Sequence, residues 1–471
     1  MTDTLMVGVS GVRGIVGKDL TPEVVTRWAR AFGTWVRENG KRETGNGKGS
    51  AVVVGRDARE SGPAFAAAVT TGLTLVGCDV IDVGLVPTPT VQLAVEHHHA
   101  GGGIAITASH NPIEWNALKF VGSDGIFLDG NEGARVATLA AGQPGNGKRE
   151  TGKVTADPGA VERHLDGVLR LPALPVQAIR ARRFTVALDA VRGAGGPVMR
   201  TLFERLGCTV TGINLETDGQ FPRAPEPVPE NLGDLAALVR RSGADLGIAV
   251  DPDVDRLAIV DEVGAPIGED YTLACAIRAV LSGKGETGNG KRVVVCNLST
   301  SLVVEDAARE FGAAVVRTPV GEVHVARAIL RLAAVVGGEG NGGVMYPALH
   351  AGRDAPVAAA LLLALLARDG RRVSELVAAA PRYVIVKAKA ERGARNAEQG
   401  LDGVYAALRT RFPEASVDTQ DGLRLAWRDR WLHVRPSNTE PIVRLIAEAP
   451  TGTAARDLVD EGRRLCAASA S

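Results

Sequence analysis

The chain has 471 residues, 45% hydrophobic and 23% charged, with 54 basic against 54 acidic side chains. That length suits about three domains of ~150 residues, each able to bury a core. A formal charge of zero gives no broad attraction to nucleic acid or to a membrane surface.

Strand-like and helix-like segments alternate from the start. AVVVG (51–55) reads as a buried strand, GPAFAAAVTTGLTLVG (62–77) as a helix, and DVIDVG (79–84) and GGIAIT (102–107) as further strands. The cycle resumes at RFTVALDA (183–190), LGCTVTGIN (206–214) and DLGIAVDPDVDRLAIVDE (245–262), and again at RVVVCNL (292–298) and AAVVRTPVG (313–321). Three such passes predict three similar α/β domains with mixed, largely parallel sheets. The run 355–367, APVAAALLLALLA, is too short to span a bilayer and reads as a buried helix. Beyond it, YVIVKAKA (383–390), GLRLAW (422–427), WLHVRP (431–436) and IVRLIAEA (442–449) read as strands joined by short turns and followed by a helix. They predict a smaller C-terminal α+β domain.

The five cysteines, Cys78, Cys208, Cys275, Cys296 and Cys466, are scattered and form no C-x-x-C pair. They read as buried free thiols of a reducing compartment. The start, MTDTLMVGVS, lacks the charged head and apolar centre of a signal peptide. A cytoplasmic protein is expected. A short unit recurs as NGKRETGNGK (39–48), NGKRETG (146–152) and ETGNGKR (286–292). Without apolar residues it reads as exposed loop. Gly142–Lys148 and Gly285–Lys291 match G-x-x-x-x-G-K, but Arg follows each and neither lies between a strand and a helix. A nucleotide-phosphate loop is therefore not expected.

Four segments carry chemistry. In DPDVDR, Asp251, Asp253 and Asp255 are two residues apart. On an extended segment they would point the same way. Three carboxylates on one side call for a hard cation such as Mg²⁺, and Arg256 beside them suits a phosphate. Ser109 follows an apolar strand, among His110, Asn111 and Pro112. It could be a nucleophile or phosphate carrier, or equally a helix N-cap. Lys119, ten residues on, could accept a proton or contact an anion. VVGGEGNGGVMYP (335–347) holds Glu339 and Asn341, suited to sugar hydroxyls, among glycines that free the backbone to approach a ligand. A plain glycine turn explains it as well. HVRPSNTEPIVR (433–444) offers Arg435, Ser437, Asn438 and Thr439 to an anion, or makes a hairpin turn.

In their order along the chain these segments resemble the α-D-phosphohexomutase family, over essentially the whole sequence. TASHNP (107–112) is similar to its phosphoserine loop and DPDVDR (251–256) to its D-x-D-x-D-R magnesium loop. GEGNGG (338–343) occupies the place of its sugar-recognition loop, and RPSNTEP (435–441) is similar to its phosphate-binding loop. SGVRG (10–14) resembles its N-terminal active-site segment, with Arg13 the residue carried over. The resemblance implies four domains around a central cleft. Their expected spans are 1–155 (phosphoserine loop), 156–262 (magnesium loop), 263–378 (sugar recognition) and 379–471 (phosphate binding).

It also implies roles. Ser109 would carry a phosphoryl group and coordinate Mg²⁺ with Asp251, Asp253 and Asp255. Lys119 would be the general acid/base. Glu339 and Asn341 would hold sugar hydroxyls, with Arg13, Arg256 and His324 (a looser match) also on substrate. Arg435, Ser437, Asn438 and Thr439 would hold the phosphate that is not reacting. The expected reaction interconverts hexose 6-phosphate and hexose 1-phosphate through a hexose 1,6-bisphosphate intermediate and activator, in a monomer or homodimer.

Two departures stand out. Asn341 and Gly343 replace the serine and histidine of the common G-E-x-S-G-H loop, and Asn116-Ala117 stands where N-G is usual. E-G-N-G-G resembles the phosphoglucosamine mutase branch, which makes glucosamine 6-phosphate and 1-phosphate the expected pair. Phosphoglucomutase or phosphomannomutase activity is the alternative. A binding protein without turnover fits the intact serine, aspartates and arginine loop less well, and a phosphatase would not need a second phosphate loop.

Overall fold

The structure, a computed structural model, describes residues 5–9, 11–44, 50–142, 151–283, 292–391, 401–437 and 442–468, with the backbone alone for 40–44 and 468. The first sheet holds β1 (Met6–Gly8), β2 (Gly11–Ile15), β3 (Ala51–Arg56), β4 (Asp79–Leu85), β5 (Gly102–Ile106), β6 (Trp115–Val121) and β7 (Val154–Ala156). Their order is β1-β2-β6-β5-β3-β4-β7. β5, β3, β4 and β7 run parallel, while β6 is antiparallel to β5 and β2 to β6. The central strands read Val-Val-Val and Gly-Gly-Ile-Ala-Ile because both faces of a parallel sheet are covered.

The second sheet is β11-β10-β8-β9, from β8 (Thr185–Asp189), β9 (Thr209–Ile213), β10 (Leu246–Val250) and β11 (Leu257–Val260). The third is β13-β12-β14-β15, from β12 (Val293–Asn297), β13 (Ala314–Thr318), β14 (Val336–Glu339) and β15 (Gly343–Met345). In each α/β domain a parallel strand runs into a loop and returns as an antiparallel strand: β5 to β6, β10 to β11, β14 to β15. Ser109, the acidic turn and Asn341 lie in these three equivalent loops. All three loops follow the carboxyl ends of strands, where α/β sheets present ligands.

The helix Ala355–Asp369 is buried at every residue through Leu366 and joins the second and third domains in one apolar core. None of the five cysteines is in a disulfide, and all are buried. Among the described residues no helix is long and apolar enough to cross a membrane.

The C-terminal sheet is antiparallel, β16-β20-β19-β18-β17, with its own core. It holds β16 (Val384–Glu391), β17 (Ser416–Asp418), β18 (Leu423–Ala426), β19 (Trp431–Pro436) and β20 (Ile442–Ala449). One expectation fails here. The first two strands read from the sequence are separated by a helix, Asp402–Arg411, and by β17, not by a short turn. Only Val404 and Leu408 of that helix are fully buried, too sparse a pattern to read.

The repeat unit also needs correction. Residues 39–44 continue the helix Pro22–Thr44 instead of forming a loop, since Lys, Arg and Glu are good helix formers. Gly152, at the end of the second copy, is a packed position: a Cβ there would lie 1.7 Å from the Cys78 carbonyl oxygen. Thr151 beside it is exposed, and Arg292, which ends the third copy, donates to the carbonyls of Leu281 (3.2 Å) and Phe311 (2.8 Å). Residues 45–48, 146–150 and 286–291 fall outside the described residues.

Candidate active site

Ser109 stands three residues beyond β5 with φ +50°, a left-handed turn residue, and no helix starts there. The N-cap reading is therefore excluded. Thr107 Oγ1 donates to Asp57 Oδ2 (2.6 Å) and accepts from Ser109 N (2.9 Å). The loop is wound around Arg59, a residue the sequence reading passed over. Its Nη2 donates to the carbonyls of Ser109 and Asn111 (2.7 Å each) and its Nη1 to those of Pro112 (2.7 Å) and Trp115 (2.8 Å). So held, Ser109 Oγ donates to Asp251 Oδ2 at 3.0 Å. His110 Nδ1 is 3.3 Å from the same hydroxyl. Its pKa is pushed down to about 2 by Arg256, burial and Arg13, so the ring is neutral.

The acidic segment is a turn, not the extended stretch expected. Val254 has φ +62°, and Asp251 Oδ1 accepts from the backbone N–H groups of Asp255 and Arg256 (3.1 Å each). The turn, not strand alternation, brings one oxygen from each of Asp251, Asp253 and Asp255 within 4.8 Å of the others. Asp253 Oδ2 accepts from Thr88 Oγ1 and from Lys119 Nζ, both at 2.7 Å, and Asp255 Oδ2 from Arg353 Nη2 at 2.6 Å. Asp253 Oδ1 and Asp255 Oδ1 are buried without a hydrogen-bond partner, the second 3.8 Å from Arg256 Nε. Burial, Asp255 and Asp253 push the Asp251 carboxyl well above its ordinary range. Two buried oxygens without hydrogen bonds and three crowded carboxylates are what a hard, oxygen-seeking cation such as Mg²⁺ would satisfy, so the residues present fit that ion.

Lys119 has a largely buried side chain. It lies on β6 opposite Gly11 and Ala105, with its amine 2.7 Å from Asp253 and 3.7 Å from Asp255. Burial opposes its charge, but Asp253 and Asp255 outweigh burial and leave its pKa raised.

In the third domain Glu339 ends β14. Its Oε1 accepts from Asn297 Nδ2 (2.8 Å) and Gly321 N (3.1 Å), and its Oε2 from Arg353 Nη1 (3.1 Å). The glycines around it allow close approach of the protein to itself. A Cβ on Gly340 would lie 2.2 Å from Asp270 Oδ1, on Gly342 2.4 Å from the Leu257 carbonyl oxygen, and on Gly343 2.3 Å from Arg353 Cδ.

A cavity of about 790 Å³ is lined by Arg13, Ser109, Lys119, Arg256, His324, Glu339 and Asn341, seven of the residues singled out from sequence. The acidic turn lies directly behind Ser109 and Lys119. Arg435 and Ser437 are not among the lining residues; Arg435 faces Asp421, 3.5 Å away. The C-terminal domain lines the cavity with Arg444 instead. Asn438 and Thr439 lie outside the described residues. Arg353 and Glu322, also in the lining, carried no signal in the sequence beyond an aspartate before an apolar helix.

Models of the phosphoglucomutase/phosphomannomutase family match in order along the chain: α/β/α domain I at residues 4–143, domain II at 162–264, domain III at 268–383 and the C-terminal domain at 384–465. The chain is 39% identical to a probable phosphoglucosamine mutase of Methanopyrus kandleri, over 96% of each protein. It is 37% identical to a phosphoglucomutase/phosphomannomutase of Thermococcus kodakarensis, over 97% of each. A crystal structure of a phosphoglucomutase/phosphomannomutase family protein from Burkholderia thailandensis superposes with a TM-score of 0.82 at 29% identity, covering 98% of this chain and 96% of that one. The chain belongs to the α-D-phosphohexomutase family, on the side of its phosphoglucosamine mutase branch. It is a phosphohexomutase, an isomerase of carbohydrate metabolism.

Proposed function

We propose that the protein interconverts glucosamine 6-phosphate and glucosamine 1-phosphate through a phosphoserine at Ser109. The observation that carries this reading is the Ser109 Oγ–Asp251 Oδ2 contact of 3.0 Å, made in the lining of a cavity that also holds Lys119, Glu339 and several arginines.

The step is a phosphoryl exchange. The Oγ–P bond of phosphorylated Ser109 breaks and a P–O bond forms to the free hydroxyl of the hexose monophosphate. Lys119 carries the proton exchanged between that hydroxyl and Ser109 Oγ, with the charged ammonium as its resting form. The hexose 1,6-bisphosphate turns in the cavity and returns its other phosphoryl group to Ser109. Asp251, Asp253 and Asp255 would hold Mg²⁺, which when bound supplies charge neutralisation for the transferring group. Glu339 and Asn341 orient sugar hydroxyls. Arg13, Arg256, His324 and Arg444 grip the sugar phosphate from the cavity lining; Arg435, Ser437, Asn438 and Thr439 would join them only on approach of the C-terminal domain. A closed cleft protects the phosphoserine from water.

Names of relatives divide between glucosamine and glucose or mannose phosphates, so phosphoglucomutase/phosphomannomutase activity is the second reading. Coupled kinetics with the three sugar phosphates on one preparation decide between them. A kcat/KM for glucosamine phosphate at or below those for glucose and mannose phosphates refutes the glucosamine assignment.

A further inference from the structure

We propose that Arg353 partitions the carboxylates of the cleft, holding Glu339 and Glu322 to the sugar side and leaving Asp251, Asp253 and Asp255 as the cation set. The inference rests on reading the acidic turn as the metal site.

Arg353 is 7% exposed, and its guanidinium stands between the two sets. Nη2 lies 2.6 Å from Asp255 Oδ2, Nη1 3.1 Å from Glu339 Oε2 and Nε 2.9 Å from Glu322 Oε2. All of these carboxylates are buried. Without the guanidinium, Glu322 and Glu339 would lose the nearest cation they face. Their stems are flexible; Lys119 would be left facing Glu322 and Arg256 facing Glu339, and a divalent ion at the turn, with twice the charge of either, would draw both. A hard cation accepts six or more oxygens, so extra carboxylates would close the positions a phosphoryl group needs.

Two further observations show that this placement is enforced. A Cβ on residue 343 would sit 2.3 Å from Arg353 Cδ, so Gly343 leaves the path of the guanidinium open. The next residue is fixed on every side. Asp354 N donates to the Val344 carbonyl (2.9 Å), and Ala355 N to that of Val254 in the acidic turn (3.2 Å). Asp354 Oδ1 caps the following helix at Val357 N (2.9 Å). Its Oδ2 meets Nε2 of both His164 (2.8 Å) and His350 (2.9 Å). His164 Nδ1 in turn meets Thr90 Oγ1 at 2.8 Å. Arg353 thus springs from a buried polar knot tied to all three α/β domains, and acts as a positioning residue.

The test is Mg²⁺ binding to the metal-free full chain by calorimetry, beside mutase kinetics, for wild type, Arg353→Ala, Gly343→Ala and the double variant. Removing a unit positive charge from Asp255, and freeing two glutamates, should tighten Mg²⁺ binding about three- to tenfold, while kcat falls by at least about tenfold. Gly343→Ala should reproduce both changes by displacing the guanidinium, and the double variant should match Arg353→Ala. A merely structural role would lower affinity and thermal midpoint together. If Arg353→Ala does not fold, Gly343→Ala carries the test. Mg²⁺ binding by wild type with unchanged or weaker binding by the folded variants overturns the partition alone. A wild type that binds no Mg²⁺ overturns the metal-site reading, and the partition with it.

Discussion

Lys119 Nζ donates to Asp253 Oδ2 at 2.7 Å, so a strand of the first domain reaches into the acidic turn of the second. The pair is almost wholly buried, which makes each partner costly to leave alone. Lys119→Ala should lower kcat by about 10²–10⁴-fold if the amine moves a proton in the reaction. Steady-state kinetics at saturating Mg²⁺ check this. A loss below about tenfold would leave Lys119 only an electrostatic part.

Ser109→Ala should reduce mutase turnover at least about a thousandfold and abolish phosphate incorporation from hexose 1,6-bisphosphate. Intact mass and peptide mapping read the second effect. Phosphate found on another residue, with turnover kept, would remove the carrier role from Ser109.

Arg59 donates to four backbone carbonyls of the serine loop and pairs with Asp57 at 3.1 Å. Lysine cannot reproduce that fan of donors. Arg59→Lys keeps the charge beside Asp57 but leaves buried carbonyls unsatisfied, and should therefore cost about 1–3 kcal/mol in chemical denaturation and lower kcat through misplaced Ser109. Equal stability of the variant and the wild type would show that the loop holds its shape by other means.

Burial lifts the Asp270 carboxyl from an ordinary 3.8 to about 8. In the folded state it keeps a proton that the unfolded chain has already released. Its contribution to stability is full below about pH 4 and is lost as pH rises toward 8, by about 1.4 kcal/mol per pH unit. Asp270→Asn stays neutral and can still accept from Ser301 N, the partner of Asp270 Oδ1 at 2.9 Å. The wild type should therefore lose stability relative to the variant between about pH 5 and pH 8. Parallel curves for the two would refute the assignment.

Three loops of the candidate site were legible because each couples a hydrophobic strand to an abrupt polar cluster: Ser109 after β5, the aspartates after β10, Glu339 at the end of β14. Alternation along an extended chain was the wrong reason for the aspartates; the left-handed Val254 gathers them instead. Arg59 and Arg353 were illegible for a common cause. Each serves partners brought close only by the fold, 50 to 56 residues away for the Arg59 carbonyls and 98 residues away for the Asp255 contact of Arg353. The helix 402–411 was missed because too few of its residues are buried to show a period.

The acidic turn is braced from both flanking domains. Thr88 N of the first domain donates to the Asp253 carbonyl at 2.9 Å, and Ala355 N of the third to that of Val254 at 3.2 Å. A nascent chain emerging amino end first completes the three aspartates about a hundred residues before their last brace is made. Rigidity of the turn, as distinct from its shape, should therefore arrive late in synthesis, with closure of the third domain's core. A chain stalled before residue 355 would carry every aspartate, gathered by its own turn, and lack that last brace.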